Sequence, residues 1–185
     1  MKLKLCDAKS LDIVKTFECG QCFRWNANDK GVYTGVVGRY LAEVETVDNE
    51  VYITSDAPAE MWADYFDLAT DYAAVSADFT GEYLHECIDY GMGIRILRQD
   101  SWEALCSFII SQCNNITRIK GIVERLCEQF GDKCEANGVG YYTFPSAERL
   151  AALRPSDLSG IRAGYRAEYI IAAARAVTTG ELDLD

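Results

Sequence analysis

Hydrogen-bonding groups crowd the stretch Gln112-Cys113-Asn114-Asn115-Ile116-Thr117-Arg118. One asparagine is enough to cap a following helix. The other asparagine and Arg118 exceed that need, and spare donors and acceptors in a tight turn fit a polar ligand. A second group, Gly164-Tyr165-Arg166, stands at a helix start. Backbone N–H groups there suit phosphate, arginine adds a charged fork, and tyrosine offers a stacking surface. A surface loop with an aromatic anchor fits the same residues equally well. A third group, Cys19-Gly20-Gln21-Cys22, has the spacing of a metal or redox dithiol. Structural zinc needs a second ligand pair, and no other CxxC occurs. A redox pair usually opens a helix, whereas Phe17 to Trp25 reads as strand and turn. The cysteines are therefore read as mostly buried thiols serving as small apolar side chains, with no metal and no cofactor expected. Gly20 allows a backbone conformation, and a close approach by a ligand, that a Cβ would obstruct. Phe17, Phe23 and Trp25 read as core, and His85, the only histidine, as a helix-face residue.

The elements that must hold these groups follow from apolar spacing. Trp102, Leu105, Cys106, Ile109, Ile110 and Cys113 fall on one helical stripe, as do Ile119, Ile122, Val123, Leu126, Cys127 and Phe130. Asp100 with Glu103 forms a capping-box pattern at the first start, and Gly131 is a stop for the second. The asparagines thus form an elbow between two helices. Ser146 caps a short helix through Leu153, ended by Pro155; Gly160 to Gly164 reads as a loop, and Tyr165 to Thr178 as an alanine-rich helix stopped by Gly180. Before residue 58 the pattern is that of sheet. Val32–Val37, Leu41–Thr46 and Val51–Thr54 are rich in β-branched and aromatic residues and are separated by short turns, which implies an antiparallel meander. Between Pro58 and Gly91, Trp62, Tyr65 and Phe66, then Tyr83, Leu84, Cys87 and Ile88, mark two helices. Gly91-Met92-Gly93 suggests a boundary, giving domains 1–93 and 94–185. No internal repeat or low-complexity tract is present.

Charge divides at the same place. Residues 1–93 carry 7 Lys and Arg against 17 Asp and Glu, while residues 94–185 carry 11 against 12, nine of the 11 being Arg. The acidic half reads as solvated surface. The second half is nearly neutral, and arginine pairs with phosphate in bidentate geometry, so a DNA-binding face is compatible with a net charge of −11. No apolar run approaches the ~20 residues that a membrane span requires. The start MKLKLCDAKS lacks the apolar centre of a signal peptide. The expected location is the cytoplasm, nucleoid-associated when on DNA.

Gly20-Gln21-Cys22-Phe23-Arg24-Trp25, Leu97-Arg98-Gln99-Asp100, Ser111 through Ile119, and Gly164-Tyr165-Arg166-Ala167-Glu168-Tyr169 together resemble the 8-oxoguanine DNA glycosylases of the helix-hairpin-helix superfamily. The resemblance runs from Leu3 to about Gly180. It implies an α+β fold: an antiparallel sheet with flanking helices, followed by part of an all-helical DNA glycosylase domain. It also implies base-excision repair by a DNA N-glycosylase and AP lyase acting, as a monomer, on double-stranded DNA containing oxidised guanine opposite cytosine. In the family the carbonyl of the glycine matching Gly20 accepts from N7–H of the flipped lesion, whereas undamaged guanine presents an acceptor there. Arg118 and Arg166 match arginines that read the opposite cytosine, and Tyr165 matches an aromatic wedge. Asn114 and Asn115 match two of three elbow asparagines that face DNA. Cys113 stands in place of the first, and a thiol hydrogen-bonds poorly. The lysine nucleophile of the family belongs to a hairpin motif beyond the alanine-rich helix. Lys120 and Lys133 match neither it nor its aspartate, so no catalytic residue is assigned and the chain is expected to be incomplete and inactive alone. The alternatives are a non-catalytic DNA-binding remnant and, from the CxxC only, a metal or thiol-redox protein.

Overall fold

The computed structural model describes residues 1–77, 79 and 81–184, with Glu82 and Tyr83 described in backbone only. Two compact units divide the chain: Met1–Gly35 with Ala42–Arg98, and Val36–Leu41 with Gln99–Asp185. Among the described residues no helix is long and apolar enough to cross a membrane.

The first unit is built on a sheet of β1 (Lys2–Asp7), β2 (Asn26–Ala27), β3 (Tyr33–Val37), β4 (Tyr40–Val47) and β5 (Glu50–Ser55), in the order β1-β5-β4-β3-β2. The expected meander is present as β3 to β5. Along β5, Val51, Ile53 and Ser55 are buried while Tyr52 and Thr54 are half-exposed, the period of two that one covered face demands. β1 adds a strand outside the expected set. It pairs antiparallel with β5, setting Lys2 against Thr54 and Asp7 against Glu50.

Phe17 belongs to α1 (Ile13–Glu18) and not to a strand. Asp12 accepts from the Lys15 N–H at 3.0 Å, and that cap starts the helix despite its β-branched residues. Phe17 stacks on Trp25 at 4.5 Å between ring centres, and Trp62, Tyr65 and Phe66 surround the pair. A Cβ on Gly35 would lie 2.4 Å from the Trp25 indole, so this strand position needs glycine for space. Three helices follow where two were expected: α2 (Ala59–Tyr65), α3 (Tyr72–Ala77) and α4 (Glu82–Gly91). The extra one, α3, starts at Asp71, whose carboxylate accepts from the Ala73 and Ala74 N–H groups, each at 3.0 Å. Tyr83 lies in α4, and its side chain is outside the described residues.

The second unit packs α5 (Ser101–Ser111), α6 (Ile116–Phe130), α7 (Ala147–Ala151) and α8 (Arg166–Thr178) with a hairpin of β6 (Lys133–Ala136) and β7 (Val139–Tyr142). Its core holds Cys106, Ile110, Ile122, Val123, Leu126, Cys127, Ile170 and Ile171, all essentially inaccessible to solvent. Asp100 and Ser146 cap α5 and α7 as expected. The hairpin was not expected, although Asn137 and Gly138 turn it with positive φ, the conformation such a pair favours. Gly160 and Ile161 end a 3-10 helix over Pro155–Ile161, so only Arg162 to Gly164 form the loop before α8, and α7 ends at Ala151 and not at Leu153.

Candidate nucleic-acid interface

The elbow between α5 and α6 is held from within. Asn115 caps α6 by accepting from the Arg118 N–H at 2.9 Å. Asn114 donates from Nδ2 to the Ile110 carbonyl at 3.1 Å and accepts from the Asn115 N–H at 3.1 Å. Asn114 is therefore not surplus, as the sequence implied: it closes the last turn of α5, where helix carbonyls have no partner further along the chain. Cys113 takes φ of 49°, a left-handed conformation that asparagine tolerates better than cysteine, and its thiol is exposed.

A guanidinium completes the elbow from outside. Arg166, at the first position of α8, is 4% exposed. Its Nε donates to the Gln112 carbonyl at 3.0 Å and Nη2 bonds to the same oxygen. Nη2 also donates to Cys113 and Nη1 to Ala163, both carbonyls at 3.3 Å. One buried cation thus ties the end of α5 to the loop before α8. The Tyr165 ring lies 4.6 Å from the same guanidinium carbon, within cation–π range.

Arg118 is in the opposite situation. It is exposed on the first turn of α6, and its guanidinium makes no hydrogen bond among the described residues. Five donors in a fixed fork are left for an external acceptor. Tyr165 is 52% exposed and meets Tyr169 edge-to-face at 6.0 Å. Beside them Phe108, Ile109, Ser111, Gln112 and Tyr169 line an open, largely apolar cleft of about 420 Å³. Phe108, 75% exposed, was missed from the sequence. Its signal is its position: a large aromatic off the α5 apolar stripe, on the face expected to be polar.

In the first unit Gly20 adopts φ of 89°, and a Cβ built on it would meet nothing within 4 Å. Its glycine requirement therefore lies in the backbone conformation, and the space beside it is open. Cys19 is exposed and Cys22 buried, with thiols directed at the Thr16 and Phe17 carbonyls. Among the described residues no three His, Cys, Asp or Glu groups converge on a metal position. His85 is exposed on α4. The α2–α3 connection is fastened by Asp67, which accepts from Arg98 at 2.9 Å and from the Thr70 and Tyr72 hydroxyls at 3.0 Å. Burial pushes its carboxyl up, but these donors outweigh burial and hold it below the usual aspartate range.

Residues 4–105 match the family described as 8-oxoguanine DNA glycosylase, N-terminal domain. Residues 106–183 match the HhH-GPD superfamily of base excision DNA repair proteins. The chain is 46% identical over 85 residues to an N-glycosylase/DNA lyase of Saccharomyces cerevisiae, covering 45% of this chain and 23% of that one. It is 28% identical over 177 residues to the N-glycosylase/DNA lyase OGG1 of Arabidopsis thaliana, covering 90% and 48%. The chain thus spans half or less of the length of these two curated relatives. Among solved structures, the Clostridium acetobutylicum 8-oxoguanine glycosylase/lyase in complex with double-stranded DNA containing cytosine opposite 8-oxoguanine superposes with a TM-score of 0.89 at 34% identity, covering 100% of this chain and 67% of that one.

Proposed function

Since this chain belongs to the 8-oxoguanine DNA glycosylase family, we propose that it binds double-stranded DNA as a monomer and recognises oxidised guanine opposite cytosine for base-excision repair. The observation that carries this reading is Arg118, an exposed arginine with unspent donors on an elbow fixed by Asn114, Asn115 and the buried Arg166. Extruding a base costs a few kcal/mol. A tyrosine held by a neighbouring guanidinium can occupy the vacated stack, where a base–aromatic contact contributes roughly 1–3 kcal/mol. Arg118 is then the group with donors for the orphaned cytosine. Arg166, whose fork is occupied by three carbonyls, supports the elbow first and reads DNA only at the expense of those bonds. Gly20 offers its carbonyl to the N7–H that distinguishes the lesion from guanine. The sheet unit would thus read the damage and the helical unit the opposite strand. No residue of this chain is assigned as nucleophile.

Fluorescence anisotropy with duplexes holding 8-oxoguanine or guanine opposite cytosine tests the reading. The expected result is tighter binding of the damaged duplex, with affinity falling as salt rises. Equal affinity for the two duplexes would refute lesion recognition.

A further inference from the structure

The Gly20 carbonyl oxygen belongs to the peptide that joins Gly20 to Gln21, and the Gln21 side chain is fastened at three points. Its Nε2 donates to the Thr16 carbonyl at 3.0 Å and to the Arg95 carbonyl at 2.9 Å, with the Cys19 sulfur also within 3.3 Å. Its Oε1 accepts from the Leu97 N–H at 2.9 Å. One side chain thereby satisfies a carbonyl in α1 and both a carbonyl and an N–H of the segment Arg95–Leu97. That segment is itself anchored. The buried Arg95 guanidinium donates to the Ser10 carbonyl at 2.7 Å and to the Thr70 carbonyl at 3.3 Å, and bonds to the Asp67 carbonyl. Gly20, by contrast, has no side chain and open space beside it. Glycine backbone is the least restricted of any residue, so the plane of the peptide that follows it depends on what holds the next residue.

From this we infer that Gln21 is a positioning residue for lesion specificity: its three-point clamp sets the direction of the Gly20 carbonyl. The inference rests on the proposed role of that carbonyl. A carbonyl reading one N–H discriminates only while its lone pair stays aligned, since hydrogen bonds weaken steeply with angle. Discrimination is therefore the quantity that the clamp protects, and contacts with the DNA backbone do not depend on it.

Replacing the amide changes the clamp in a defined way. In Gln21→Glu, the carboxylate still accepts from Leu97 but turns an acceptor toward the Thr16 and Arg95 carbonyls. Protonation restores one donor, so lowering the pH should restore part of the function in this variant alone. In Gln21→Ala the whole clamp is lost. The test is the affinity ratio between 8-oxoguanine·cytosine and guanine·cytosine duplexes, with a thermal melt of each protein. Both variants should lower the ratio about fivefold or more, the worth of one well-made hydrogen bond, while affinity for the undamaged duplex holds. The Gln21→Glu ratio should rise as pH falls, and the wild-type and Gln21→Ala ratios should not follow it. If Gln21→Ala does not fold, the pH response of Gln21→Glu decides. Undiminished discrimination in either folded variant, or equal weakening on both duplexes, overturns the clamp. A wild-type protein that does not distinguish the duplexes overturns the functional reading and the clamp with it.

Discussion

Replacing Arg166 with alanine should destabilise the helical unit and weaken DNA binding without changing which opposite base is preferred. The guanidinium is 4% exposed and serves the carbonyls of Gln112, Cys113 and Ala163. Gln112 and Cys113 are exposed, so water can replace the lost donors there. Ala163 is 1% exposed, and its carbonyl would be left unsatisfied at a cost of roughly 1–3 kcal/mol. Loss of the Tyr165 contact adds about 0.5–1 kcal/mol. A total near 3 kcal/mol lowers the melting temperature of a chain this size by about 10 °C. Arg118→Ala removes an exposed side chain whose guanidinium makes no hydrogen bond among the described residues, so stability should change by only about 0.5 kcal/mol or less. Its effect should fall on recognition instead: a bidentate base contact contributes roughly 1–3 kcal/mol of discrimination, about ten- to hundredfold. Thermal melts, combined with anisotropy on duplexes placing 8-oxoguanine opposite each of the four bases, separate the two roles. The reasoning fails if Arg166→Ala melts like wild type and loses only its preference for cytosine.

Treated with borohydride in the presence of an 8-oxoguanine·cytosine duplex, the 185-residue polypeptide should give no covalent adduct, because neither Lys120 on α6 nor Lys133 at the start of β6 matches the family's nucleophile; a stoichiometric adduct detected by gel shift would show a nucleophile among its lysines. Asp67 has a depressed carboxyl, so it contributes stability above the unfolded aspartate value, and that contribution disappears as pH falls through its lower folded value. Wild-type melting temperature should thus drop below about pH 4, and Asp67→Asn should show a flatter acid limb. Gly35→Ala sets a methyl 2.4 Å from the Trp25 indole and should cost about 3 kcal/mol or more, with a shift in tryptophan emission that reports the displaced ring. Unchanged emission and melting would refute that packing.

Local chemistry explains what the sequence made readable. The α6 stripe buries Ile119, Ile122, Val123, Leu126 and Cys127 as spaced. The α5 stripe buries Trp102, Cys106 and Ile110, leaves Leu105 and Ile109 half-exposed, and loses Cys113 to the turn beyond the helix. Asp100, Asn115 and Ser146 each accept the N–H that a capping residue should. The strands β3 to β5, which follow one another through short turns, were visible, whereas the short β2 and the β6–β7 hairpin were not; β1 was missed because its partner is β5, almost fifty residues away. Phe17 sat in an aromatic run that looked like strand, and the Asp12 cap prevailed over that run. The polar groups were harder to interpret. A sequence shows that Asn114 and Arg166 can donate, but only the fold brings the Ile110 and Gln112 carbonyls to them. Arg118 and Arg166 look alike on paper, and tertiary contacts leave one exposed and enclose the other.

The place of β1 in the sheet also orders events during synthesis. Of the five strands in this sheet it leaves the ribosome before the others, and its partner β5 follows only after residues 50–55 have been made. At roughly 5–20 residues per second that delay lasts seconds, whereas a hairpin closes in microseconds. For that interval Lys2-Leu3-Lys4-Leu5-Cys6 is an unpaired strand able to join any open edge. Its lysines keep the waiting segment charged. Once β4 and β5 have formed, Lys2 reaches Glu45 at 2.8 Å and Lys4 pairs with Glu50. The residues that guard the nascent strand therefore become the ones that fasten it, and the sheet is completed from its newest strand back to its oldest.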